Sequence, residues 1–300
     1  MDNIYELLSF YVGKKVILVD LLNVLFRSYY SYSDLVNSQN EHTGMYYGLA
    51  RLLQSLESKY SDDLILLVDD GASLNRKALN AEYKANRDSN ISFSNRKYIV
   101  DCIIQSLPNV FRVYNSEVEA DDLMFSISRI KDFNNLFVIY TNDKDLYQAL
   151  DDSTFISTNM ELGRLVLQDQ YSDRYVKFFK DLQPYQIPYY RAVVGDKSDN
   201  ISSIGTRFPS AVAYYFAKNY ILPDEVLPLG DKPMELTDAQ FVRLQEIYKS
   251  EKFIINLRLM KLAFISDMTI QAKILTPEEV KGVLFDLELF QYLRYLQLLN

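Results

Sequence analysis

Residues 116–147 read SEVEADDLMFSISRIKDFNNLFVIYTNDKDLY. Glu119, Asp121 and Asp122 stand at the opening of an apolar-periodic helix, and Asp143 and Asp145 follow directly on LFVIYT, an apolar run with the length of a buried strand. Five carboxylates therefore gather at two element ends. Carboxylates crowded in this way repel one another, and a protein accommodates them by protonation, by pairing with bases or by a hard cation. Few bases lie in the stretch, which points to a divalent metal. The alternative is that acids in a first helical turn complement the helix dipole and cap free N–H groups.

Outward from this stretch the same pattern recurs. KVILVD (15–20) reads as a buried strand ending in Asp20, DDLILLVD (62–69) as a second ending in Asp69, and NVFRVY (109–114) as a third just before Glu119. Helical stretches fall near 2–11, 45–59, 73–86, 95–107 and 119–131, and LLNVLFRSYYSY (21–32) reads as a helix or turn. Short apolar strands alternating with helices predict a parallel sheet in an open α/β fold, in which ligands bind beyond the carboxyl ends of the strands. Four strand ends each deliver carboxylate to that edge, whereas an isolated Asp after a strand is ordinarily a turn residue or a helix cap. Beyond Gln148, STFISTN and GRLVLQ read as a hairpin. Residues 191–220 read as two helices joined by a polar turn with Gly195, Asp196, Ser198, Asp199 and Asn200, an arrangement that can hold a phosphate backbone through exposed N–H groups. A linker from 221 and amphipathic helices over 236–264 and 276–299 complete the chain.

The composition restricts the function further. With 300 residues and 48% hydrophobic content the chain can bury a substantial core. One cysteine, Cys102, allows neither an internal disulfide nor a thiolate metal site, and one histidine, His42, in a polar run, argues against histidine-based catalysis and most zinc chemistry. No stretch approaches the length of a membrane span. We expect a soluble chain of a reducing compartment, the cytoplasm. The net charge of −8 opposes a polyanionic partner at large, but nine of the acids belong to the proposed cluster. Any nucleic-acid surface is then local. Residues 76–97 supply one: Arg76, Lys77, Lys84, Arg87, Arg96 and Lys97 against Glu82 and Asp88. It reads either as a solvated helix face or as a phosphate clamp, with Tyr83 and Phe93 able to stack on unpaired bases.

These blocks together resemble the structure-specific 5′-nuclease family: phage 5′-to-3′ exonucleases and flap endonucleases, the matching domain of bacterial DNA polymerase I, and their eukaryotic counterparts. The resemblance covers roughly residues 15–220. VILVDLLNVLFR is similar to the family's first block, with Asp20 a metal ligand and Arg27 at a basic position. LLVDDGASLNRKALNAEYKANR resembles the second, where spacing to Arg76 selects Asp69 over Asp70 as ligand and Lys84 and Arg87 match the basic residues under a helical arch. VEADD carries over Glu119, Asp121 and Asp122, TNDKDL carries over Asp143 and Asp145, and GDKSDNI carries over Asp196 and Asp199. Five blocks in order make the set specific.

The resemblance implies an open, mainly parallel sheet flanked by helices (a PIN-like nuclease core, residues 1–181), with a basic arch about 76–107. It also implies a helical region, 182–300, holding a helix–three-turn–helix motif about 185–220. It implies two Mg²⁺ or Mn²⁺ ions, with K⁺ at the helix–three-turn–helix motif, and metal-dependent hydrolysis of DNA at 5′ ends and 5′ flaps by a monomer, in phage replication including RNA primer removal. Lys84 and Arg87 would act on the scissile phosphate, while Arg27, Arg76, Lys77, Tyr83, Arg96, Lys97, Gly205 and Arg207 would bind nucleic acid; replication proteins are further partners it allows. Two departures are evident: Leu21 replaces the family's glycine, and the hairpin ISSIGTRFPSA is short and poor in glycine. The rival readings are a ribonuclease acting on RNA in hybrids, and a flap- or junction-binding protein that does not cut.

Overall fold

The computed structural model describes residues 3–86, 95–205, 208–219 and 232–298. Helix α1 (Ile4–Ser9) leads into β1 (Lys15–Asp20), α2 (Leu21–Ser31), α3 (Gly44–Tyr60) and β2 (Leu64–Asp69). There follow α4 (Leu74–Leu79), α5 (Arg96–Ile104), β3 (Val110–Tyr114), α6 (Ala120–Ser128), β4 (Leu136–Tyr140) and β5 (Thr154–Ser157). A small hairpin, β6 (Met160–Glu161) and β7 (Arg164–Leu165), precedes α7 (Asp173–Phe179), α8 (Ile187–Val194) and α9 (Ser210–Asn219). The chain closes with α10 (Asp238–Tyr248), α11 (Glu251–Met260), β8 (Thr269–Ile270), α12 (Pro277–Asp286) and α13 (Phe290–Tyr295).

The sheet order is β5-β4-β1-β2-β3-β8, parallel from β5 to β3, with β8 antiparallel at the edge. The chain runs outward from β1 through β2 to β3, then crosses back to β4 and β5. Strand order therefore reverses between β1 and β4, the crevice where open α/β sheets place ligands. Both faces are covered, which is why the strands read as continuous apolar runs. Side-chain alternation splits the core in two. Val16, Leu18, Leu64, Leu66, Phe137 and Ile139 pack with α6 to α9 on one face; Ile17, Val19, Ile65, Leu67 and Val138 pack with α2, α3, α5 and the last two helices on the other.

Three local expectations change. The helix expected over 73–86 stops at Leu79, because Asn80 is extended and Lys84 takes φ +56° in the turns that follow. STFISTN holds β5, parallel to β4; it meets the GRLVLQ stretch through Ile156 and Gln168, whose backbones exchange hydrogen bonds of 3.0 and 2.7 Å, and through the Val166 N–H, which donates to the Asn159 carbonyl at 3.2 Å. The last third is more than helices, since β8 extends the sheet. The expected linker at 221–231 lies outside the described residues, as do Arg87, Phe93 and Arg207. Among the described residues no helix is long and apolar enough to cross a membrane.

Phe137 is fully buried at the centre of the first core. Phe137→Ala is expected to lower unfolding stability by about 3–5 kcal/mol, seen as a lower urea midpoint at unchanged slope.

Candidate metal centre

Asp20 ends β1 at the strand-order reversal. Its carboxylate does two local jobs: one oxygen accepts from the Asn23 N–H at 3.0 Å and so caps α2, and the other accepts from the Thr141 hydroxyl, just past β4, at 2.8 Å. These bonds do not offset its surroundings. Burial, then Asp70, and to a lesser degree Asp143, push the Asp20 carboxyl up to about 7. Asp121, in the first turn of α6, is driven well above the ordinary carboxylate range by burial and by Asp143 and Asp20. Asp70 is raised too, by burial first and by Glu119 and Asp69 in part, although it accepts a hydrogen bond from Ala120 N–H at 2.7 Å. Asp70 is held there by the next residue: a Cβ on Gly71 would lie 2.2 Å from the Asn115 carbonyl and 2.6 Å from that of Val118, so only glycine lets the chain turn against this loop. Asp20, Asp70, Asp121 and Asp143 thus form one mutually repelling group.

Glu119 sits beside this group with the opposite character. Burial alone would raise it, yet Lys84 and Arg76 outweigh burial and hold it at about 2. It accepts from Ser73 Oγ at 2.6 Å, from Arg76 at 2.6 Å, from the Tyr83 hydroxyl at 3.0 Å and from the Lys84 ammonium. Glu119 is the anchor of the basic segment's first half. Tyr83 also reaches Asp199 at 3.3 Å, and the Lys84 N–H donates to the Asp199 carbonyl at 3.0 Å, which docks residues 82–86 on the loop after α8.

A second acidic group lies on that loop. Asp145, Asp196 and Asp199 each present an oxygen within 4.8 Å of one another. Gly195 makes the loop sharp: it takes φ +77°, and a Cβ there would meet the Ile201 carbonyl at 2.5 Å. Burial raises Asp145 to about 7, with Arg191 opposing and Asp143 and Asp196 adding to the rise. Asp196 goes the other way, because two hydrogen bonds from Ser198 and the Arg191 guanidinium outweigh its partial burial.

Several expected roles do not match these positions. Asp69 is fully buried and paired with Arg96 at 2.9 Å and Arg112 at 3.6 Å; it is Asp70, one residue past the strand, whose charge acts on Asp20. Asp122, expected to face a metal, is 2.8 Å from Arg76 and accepts the Ala263 N–H at 2.8 Å. Arg76 is no phosphate contact, since its guanidinium is buried between Glu119, Asp122 and the Leu259 carbonyl. Tyr83 is buried and cannot stack on a base. Arg96 is turned inward to Asp69, whereas Lys77 and Lys97 are exposed, Lys97 over the Tyr114 ring. Arg27 lies over Tyr140 and lines a polar cavity of about 470 Å³ with Arg51, and Gly205 is held by a hydrogen bond from Ser203 to its carbonyl. Residues that sequence reasoning missed are Asp70, Thr141, Arg112 and Arg191. The doubled acid at 69–70 was the visible signal for Asp70.

A hard divalent cation fits the donor set. The two groups offer carboxylate oxygens only, and in the first group burial and repulsion raise three of the four acids, the condition that a cation relieves.

A family model described as 5′-3′ exonuclease, N-terminal resolvase-like domain, matches residues 15–176. A 5′-3′ exonuclease of Mycoplasma pneumoniae is 29% identical over 199 residues, covering 64% of this chain and 67% of the relative. DNA polymerase I of Borreliella burgdorferi is 30% identical over 197 residues, 64% of this chain but 21% of that protein, so the chain spans about a fifth of such polymerases. Among solved structures, T5 5′-exonuclease with zinc bound covers 95% of this chain and 98% of its own at TM-score 0.60 and 18% identity. The catalytic core of Rad2 with DNA substrate covers 96% and 93% at TM-score 0.54 and 13% identity. These likenesses show a shared mainly parallel sheet with flanking helices.

Two outcomes follow from the charges. The folded Asp20 carboxyl lies near 7 against an ordinary 3.8, so the folded chain holds the extra proton and the stability this contributes at acid pH is lost as pH rises from about 4 to about 7. In chelator, Asp20→Asn should flatten that part of the stability profile and raise the melting temperature at pH 7; an unchanged slope would contradict the assignment. Arg76→Ala strands two buried carboxylates and should lower stability by about 3–5 kcal/mol in the same melts.

Proposed function

The chain belongs to the 5′-3′ exonuclease family, and we propose that it is a divalent-metal-dependent nuclease that hydrolyses DNA phosphodiesters at free 5′ ends and 5′ flaps. The observation that carries this reading is the edge of unpaired carboxylates at the strand-order reversal, with a cationic segment docked beside it. Asp20, Asp70, Asp121 and Asp143 would hold one Mg²⁺ or Mn²⁺, and Asp145, Asp196 and Asp199 a second. Bound there, such ions supply an activated water and stabilise charge on the attacking and leaving oxygens.

The chain's own part is positioning. Glu119 draws the Lys84 ammonium down to the rim of the first group, where a phosphodiester can accept from it. Exposed Lys77 and Lys97 offer backbone contacts on either side of residues 87–94. Arg27 faces the cavity between α2 and α3. The helix pair α8 and α9, with its glycine turn, grips duplex through backbone N–H groups, K⁺ included in this proposal, and Arg87 and Arg207 are basic residues whose sequence context suits them to the same substrate. The proposal extends to phage replication, with RNA primer removal among its uses; the fold shared with T5 5′-exonuclease over 95% of this chain is compatible with it.

The test is a time course on a 5′-flap DNA labelled at each end in turn, beside a matched RNA 5′ end, with Mg²⁺ and with chelator. Metal-dependent cutting near the flap junction is expected; binding without cutting under all conditions would remove the catalytic reading. Lys84→Ala should lower turnover by about 10²-fold or more while duplex affinity falls far less, and equal losses would deny Lys84 its role at the phosphate.

A further inference from the structure

The two acidic groups differ in one respect. Asp20, Asp70, Asp121 and Asp143 have no ion pair among the described residues, whereas the second group already contains a cation. Arg191, in the last turn of α8, places Nε 3.0 Å from Asp145 Oδ1 and pairs through its other end with Asp196, and its side chain is largely buried among them. We propose that Arg191 is a displaceable counter-ion: it neutralises the Asp145–Asp196–Asp199 group in the metal-free chain, and a second divalent ion binds only by taking its place. This deepens the nuclease reading and rests on it.

Three features carry the idea. First, the carboxylates that come together are shared with the guanidinium: Arg191 pairs with one oxygen each of Asp145 and Asp196, two of the three acids that would coordinate a cation. A guanidinium and a divalent ion placed among the same carboxylates repel each other at close range. Second, the guanidinium is bonded at one end only: it donates to Asp196, while its contact with Asp145 is charge more than alignment. Arg191 Nε and Asp145 Oδ1 are both buried and neither makes an aligned hydrogen bond, so the pair gives up little directional bonding when it opens. By contrast Arg76 donates to Glu119 at 2.6 Å, to Asp122 at 2.8 Å and to the Leu259 carbonyl at 3.1 Å, a fully bonded fork with no cause to move. Third, Arg191 stands at the exit of its helix, directly before the Gly195 turn that carries Asp196 and Asp199, so the cation and two of its competitors' ligands share one short segment.

The consequence is ordered loading. A first ion enters an uncompensated group, and a second must compete with a resident charge. A phosphodiester arriving at the site offers the freed guanidinium an alternative anion, which couples second-ion binding to substrate.

The experiment is a Mn²⁺ titration of the full chain without DNA, reading free aquo-Mn²⁺ by electron paramagnetic resonance, for wild type, Arg191→Met and Arg191→Lys. The expected wild-type result is one tight and one weak site. Arg191→Met should tighten the weak site by roughly tenfold or more, the effect of removing a full charge from about 3–4 Å, and leave the tight site in place; Arg191→Lys should stay near wild type. An unchanged or weakened second site in Arg191→Met would overturn the proposal. Absence of any Mn²⁺ binding by the wild type would instead overturn the metal reading on which it rests. As a check that needs no Met variant, the Arg191 Nε–H resonance of the wild type, assigned by its loss in Arg191→Lys, should shift with the second Mg²⁺ equivalent; a shift with the first only, or none, counts against displacement.

Discussion

Electrostatic repulsion among carboxylates at the carboxyl edge of a parallel sheet is the constraint around which this molecule is arranged. Strand ends at a reversal point bring acids close in a buried setting, which disfavours their charged form. The chain answers this repulsion unequally. Arg76, Lys84 and Ser73 hold Glu119 ionised, Arg96 and Arg112 form ion pairs with Asp69, and Arg191 spans Asp145 and Asp196. Asp20, Asp70, Asp121 and Asp143 have no ion pair among the described residues, and the Lys84 charge does not offset the rise of Asp70 and Asp121. The fold thus separates acids that serve its own cohesion from acids left available to a cation.

The compensating bases in turn bind distant parts of the chain together. Arg76 donates through Nε to the Leu259 carbonyl, and Asp122 takes the Ala263 N–H, so the ion cluster beneath the site includes the segment after α11. Gln148 donates to the Met260 carbonyl and accepts from the Leu262 N–H, and the Ser126 hydroxyl accepts from Ile265 N–H. A few residues on, β8 closes the β3 edge. The last helices pack on α5, where the Tyr292 hydroxyl donates to the Ile103 carbonyl. Residues 256–296 therefore brace both ends of the basic segment: Arg76 before it and α5 after it.

The architecture was legible because each strand is buried on both faces. Burial on two sides demands an unbroken apolar run, and KVILVD, LILLVD and LFVIY could be placed almost to the residue. Strand ends were equally plain, since an acid cannot continue such a run. Beta8 was not legible, being two residues long and paired at an edge, where tertiary contact and not local propensity makes the strand. The helix over 73–86 was overextended for a related reason: its continuation was charged and periodic, yet Glu119, Asp199 and Asn200 bind its residues in a turn.

For the site, sequence determined which residue types gather and at which element ends, because strand and helix boundaries follow from hydrophobic period and need no knowledge of neighbours. It could not determine which member of a doubled or clustered acid faces the crevice. Asp69 and Asp70 are chemically identical, and so are Asp121 and Asp122; within each pair a rotation of one residue along the backbone sends one side chain to a buried arginine and the other to the open group. Tyr83 and Arg76 were read as surface residues for the same reason, as their partners lie at Glu119, Asp122 and Leu259, up to 183 positions away. Pairing across such separations is decided by how the sheet and the C-terminal segment pack, and by nothing local.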